Sequence, residues 1–137
     1  MNGFLPAHGG CLCGALRYRI SAPPLLADIC HCVQCRKQSG APYLPWIAVA
    51  AAEFAWIKGK PARFESSPGN YRHFCADCGS PVVMTGGLEP DKYGVTIGSL
   101  DEPNRFPPTV EAFTVRRLAW LHPMPGLAQH ERGNPDF

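Results

Sequence analysis

The sequence predicts a mainly β protein built from antiparallel strands with zinc knuckles, and three observations predict it. Fifteen prolines and fourteen glycines in 137 residues interrupt every helical pattern within about three turns. Several short segments alternate large apolar side chains with small or charged ones at period two, as half-buried strands do. Seven cysteines fall in tight local groups, which suits short strands braced by metal rather than by a disulfide framework.

The length fits one domain covering residues 1–137, with a core of about 9–121 and an irregular tail over 122–137 laid on the surface. Hydrophobic residues make up 45% of the chain and charged residues 18%, leaner in charge than the roughly 25% of an average globular chain, which argues against disorder. A net charge of +2, with isolated pairs such as Arg36-Lys37 and Arg116-Arg117, argues against nucleic acid as a partner. MNGFLPAHGG has neither the cationic start nor the apolar run of a signal peptide, and no apolar stretch is of bilayer length. The expectation is a cytoplasmic protein without a membrane partner.

The first strand signal is Ala15-Leu16-Arg17-Tyr18-Arg19-Ile20, ended by Ala22-Pro23-Pro24. Tyr43 to Val49 is apolar and partly β-branched, and Pro45 within it predicts an edge position or a bulge. Ala50 to Trp56 reads as one or two helical turns stopped by Gly59 and Pro61. Ala62–Ser66 and Tyr71–Cys75 flank Ser67-Pro68-Gly69-Asn70, whose turn chemistry predicts a hairpin that delivers Cys75 to a sheet end. Further strands are expected at 82–85, 93–98 and 110–115, each bounded by Gly, Pro or Asp. Trp46, Trp56 and Trp120 read as core and rim packing.

The chemistry lies in the cysteines. Cys11-Leu12-Cys13 places two sulfurs two residues apart, and Cys75-Ala76-Asp77-Cys78-Gly79 is a CxxC knuckle whose glycine permits a tight turn beneath a metal. Together they offer four soft ligands from distant parts of the chain, matching a closed tetrahedral site. Cys30-His31-Cys32-Val33-Gln34-Cys35 adds three more within six residues. Three ligands leave one tetrahedral position for chemistry, and four plus three accounts for the odd number. Three thiolates on Zn²⁺ carry a net charge of minus one, so Arg36 and Lys37 beside them would offset it or receive an anionic substrate group. Ser39 is a candidate donor from the adjoining loop. The spacing leaves open a second structural site completed by His31, His8, His73 or His122; between two ligands, His31 is expected to point away from the metal into a hydrogen bond.

In that order, GGCLCGALRY, CHCVQCRKQSGAPYLPW and FCADCGSPV resemble the signature blocks of the GFA family, the glutathione-dependent formaldehyde-activating or centromere protein V type, over roughly Gly10 to Trp120. The resemblance implies a β-tent fold, structural zinc on Cys11, Cys13, Cys75 and Cys78, and a second zinc on Cys30, Cys32 and Cys35. It also implies a carbon–sulfur lyase that condenses formaldehyde with glutathione as co-substrate, so that small thiols and aldehydes are the expected partners. Glu111 stands where the family often carries a histidine. Two other functions fit the same cysteines: a zinc-stapled thiol-binding or protein-interaction module without turnover, and a redox sensor in which two of Cys30, Cys32 and Cys35 form a disulfide.

Overall fold

The computed structural model describes residues 3–87 and 89–133. Its strands are β1 (Ala7–Gly10), β2 (Arg17–Ile20), β3 (Leu26–Cys30), β4 (Leu44–Ala50), β5 (Phe54–Lys58), β6 (Ala62–Ser67), β7 (Asn70–Phe74), β8 (Pro81–Gly86), β9 (Lys92–Thr96), β10 (Val110–Ala112) and β11 (Ala128–Gln129), with one short helix, α1 (Val33–Ser39). The mainly β expectation holds. Among the described residues β1, β2 and β5 form a small sheet, and the other eight strands form a large one in the order β11-β10-β3-β4-β9-β8-β7-β6.

Period two decides which face is dry. Along β2, Tyr18 and Ile20 are buried and Arg19 is exposed. Along β4, Ile47 and Val49 join Tyr18, Ile20, Val83 and Val95 in the main core between the two sheets. The Tyr18 hydroxyl, drawn into that core, is satisfied by Ser99 Oγ at 2.7 Å. The alternate residues of the large sheet, Asp28, Cys30, Trp46, Ala48, Gly94, Met84 and Arg72, face the other way and line a groove.

Four local expectations need correction. Pro45 is not on an edge strand, since β4 lies between β3 and β9; the β9 register begins at Trp46 opposite Thr96, so Pro45 falls just past the end of that ladder. Residues 50–56 give only a 3₁₀ turn at Ala51–Glu53 before β5 takes over, because Phe54 and Trp56 pack on the Tyr18 ring as strand residues. The strand expected over 110–115 stops at Ala112, where Phe113 turns left-handed (φ 55°) into a 3₁₀ turn. Nor is the large sheet wholly antiparallel: β10 runs parallel to both β3 and β11.

The described part of the tail is largely irregular, but it is tied to the sheet edge. After a turn, β11 adds to β10, and Phe113 and Thr114 donate their amides to Arg132 and His130 carbonyls. Residues 134–137 of the expected tail lie outside the described residues. Trp120, expected to pack, is 65% exposed. Among the described residues no helix is long and apolar enough to cross a membrane.

Candidate metal centres

The sulfurs of Cys11, Cys13, Cys75 and Cys78 all lie within 4.8 Å of one another. Cys11 and Cys13 lie in the β1–β2 turn of the small sheet, whereas Cys75 and Cys78 belong to the β7–β8 turn of the large one. The cluster is therefore a crosslink between sheets. Both turns use the same device: Gly14 and Gly79 have φ of 80°, and their amides donate back to the Cys11 and Cys75 carbonyls at 3.1 and 2.8 Å, a conformation that a Cβ disfavours. The Leu12 amide reaches across to Ser80 Oγ at 3.0 Å.

The spacing fits a tetrahedral ion. Cys13 Sγ is 3.7 Å from both Cys11 Sγ and Cys75 Sγ, and a tetrahedron with Zn–S bonds of about 2.3 Å has edges of about 3.8 Å. Without a cation the four thiols compete for protons. Hydrogen bonds from Ser80 hold the Cys78 thiol down to about 5, while Cys13 is pushed up to about 12: its backbone hydrogen bond at Ala15 favours ionisation, but the neighbouring thiols prevail.

Cys30, Cys32 and Cys35 also lie within 4.8 Å of one another. Cys30 ends β3; Cys32 caps α1, its sulfur accepting the Cys35 amide at 3.3 Å, and Cys35 points back from the first turn. Hydrogen bonds from Cys30 and Cys35 hold the Cys32 thiol down to about 2, and the same contacts push Cys30 up. Three thiolates this close need a cation. Either cysteine cluster can hold a metal ion.

No histidine or carboxylate joins the trio among the described residues. His73 is bonded to Thr85 Oγ1 at 2.9 Å. His31 turns away from the sulfurs, and Glu111 occupies its Nε2 at 2.7 Å. Glu111 has the opposite parity to Ala112, which lines the groove. Its second oxygen accepts the Met124 amide at 2.8 Å and Gln129 Nε2 at 2.7 Å, with Arg117 3.5 Å from the first. Burial opposes ionisation of Glu111, but these donors prevail and hold its carboxyl down to about 2.

The groove beside the trio has a volume of about 700 Å³ and its lining includes all three cysteines. Its floor is low because Ala48 and Gly94 face each other across β4 and β9; a Cβ on Gly94 would sit 3.2 Å from the Trp46 ring. Asp28 stands in the wall, its carboxyl pushed up to about 6 by burial.

Arg36, Lys37 and Ser39 have other surroundings. Neither Arg36 nor Lys37 lines this groove; Lys37 lines a smaller cleft with Gln38, Phe64 and Arg72. The Ser39 hydroxyl donates to the Cys35 carbonyl at 2.7 Å and accepts the Ala41 amide at 3.1 Å, so it closes the end of α1. The cation that does reach the trio is Arg72, from β7, with two guanidinium nitrogens each 3.5 Å from Cys35 Sγ. Sequence reasoning missed it, because strand register rather than spacing delivers it.

A crystal structure of a Rhodobacter sphaeroides protein is similar in fold, with a TM-score of 0.59 and 18% identity, covering 90% of this chain and 98% of that one. Residues 6–116 match the family described as glutathione-dependent formaldehyde-activating enzyme, a span that contains both cysteine clusters and most of the strands, and the chain belongs to that family.

Proposed function

We propose that this protein is a zinc-dependent carbon–sulfur lyase acting on a thiol–aldehyde adduct, forming S-hydroxymethylglutathione from glutathione and formaldehyde or catalysing a closely related reaction. The observation that carries the reading is the groove that reaches Cys30, Cys32 and Cys35. A binding module has no need of a cavity at its three-cysteine site, whereas an enzyme must bring substrate there.

In this reading Cys11, Cys13, Cys75 and Cys78 hold the bracing ion, and Cys30, Cys32 and Cys35 hold the reactive one. When bound by three thiolates, zinc lowers the pKa of a thiol beside it and polarises a carbonyl oxygen. The reaction itself is an addition: the substrate sulfur forms a bond to the aldehyde carbon, the C=O π bond breaks, and the thiol proton ends on the oxygen. The reverse reaction breaks the same C–S bond. The groove walls orient the thiol and exclude water, and the His31–Glu111 pair fixes the loop between Cys30 and Cys32. Arg36 and Lys37, at the edge of α1, meet the charged end of a substrate that extends past the groove.

The test is thiol–aldehyde turnover, followed by NMR exchange between formaldehyde and glutathione, in the wild type and in Cys35→Ser. The reading expects Cys35→Ser to lose the second metal and the rate together. Loss of the metal with full turnover would remove the mechanism.

A further inference from the structure

Arg72 is 3% exposed. Besides its two contacts to Cys35 Sγ, Nη1 donates to Gln38 Oε1 at 3.1 Å, and the guanidinium lies over the Trp46 ring at 5.6 Å from its centroid. Among the described residues its Nε has no hydrogen-bond partner and no carboxylate forms an ion pair with it. A guanidinium so deeply buried needs a negative partner, and one amide oxygen with an indole face does not supply a full charge. Neutral thiols do not supply it either. The partner within reach is the cysteine trio, whose Cys35 Sγ both guanidinium nitrogens contact; three thiolates on a divalent ion would carry the negative charge it lacks.

Three thiolates with one divalent ion leave a surplus of one negative charge, and one arginine cancels it. We propose that Arg72 is the resident counter-cation of the three-cysteine site and sets its preference for an anionic fourth ligand, a thiolate, over a neutral one. The inference rests on the reading that this site takes a thiol. An anion approaching a site of net charge minus one is repelled, and the repulsion grows as the groove excludes water; cancelling that charge weakens it. The paired N–H···S bonds also withdraw electron density from Cys35, which leaves the ion a better acceptor. Arginine suits the task because its fork grips one sulfur with two donors while its charge stays fixed.

The experiment uses the full chain loaded with Co²⁺, whose absorption bands report the fourth ligand at the three-cysteine site over a constant background from the four-cysteine site. Wild type, Arg72→Met, Arg72→Gln and Arg72→Lys are titrated separately with 2-mercaptoethanol, which binds as a thiolate, and with imidazole, which binds neutral. Cobalt content and circular dichroism select the uncharged variants that keep the fold. In those, thiolate affinity should fall about tenfold or more while imidazole affinity stays within about twofold, and lysine should restore most of the loss. Uncharged variants that bind both ligands like the wild type, or that lose both equally, overturn the proposal and leave the thiol reading standing. A wild-type protein whose cobalt bands ignore mercaptoethanol overturns the thiol reading, and this inference with it.

Discussion

His31 Nε2 stands 2.7 Å from Glu111 Oε1, and both side chains are only 2% exposed. The pair ties the loop between two ligands of the trio to the C-terminal segment, because the other Glu111 oxygen accepts from Met124 and Gln129. The carboxylate thus anchors the segment that closes the sheet edge.

Replacing Glu111 with Gln should cost about 2 kcal/mol at neutral pH, since a buried charged acceptor is lost. The sign of the pH dependence follows from the depressed carboxyl, at about 2 rather than the ordinary 4.5. Its stabilisation is complete above the ordinary value and disappears as pH falls through the depressed one. Denaturant unfolding of both proteins at pH about 7 and about 3 should show a gap that narrows in acid. A gap independent of pH would contradict this account of Glu111.

The two cysteine clusters should fail differently. A structural zinc contributes about 10 kcal/mol or more, comparable to the whole stability of a small domain. Cys78→Ala should be insoluble or molten, whereas Cys32→Ala should keep its fold and lose thiol turnover. Circular dichroism and zinc content on the two variants check this, and a native-like, zinc-free Cys78→Ala protein would refute the crosslink.

Filling the groove should block substrate without disturbing metal. Ala48 lies opposite Gly94 on the floor, and Ala48→Leu places an isobutyl group there. The KM for the thiol should rise about tenfold or more, with metal content unchanged. Steady-state kinetics over a range of glutathione concentrations would measure it; an unchanged KM would mean that the thiol travels another way.

The partition of seven cysteines into four and three was legible because spacing is local: CxC and CxxC declare themselves whatever surrounds them. The β6–β7 hairpin was legible for the same reason, with Pro68-Gly69-Asn70 writing its own turn. What escaped depends on distance or brevity. The seven residues of α1 are too few for helical periodicity to register, and β3 (Leu26–Cys30) shows no clean alternation. β11 is two residues long, and only the neighbouring β10 makes it a strand. Arg72 is 37 residues from Cys35 and Glu111 is 80 from His31; both contacts come from strand order, which spacing does not encode.

Zinc K-edge X-ray absorption on the fully loaded protein, before and after addition of glutathione, tests the central claim of one closed and one open site. With half of the ions seeing four cysteine sulfurs and half seeing three, the free protein should average three and a half sulfurs per zinc, at about 2.3 Å, and rise to four when the thiol is added. An average of four without thiol, or no change on adding it, would contradict the account.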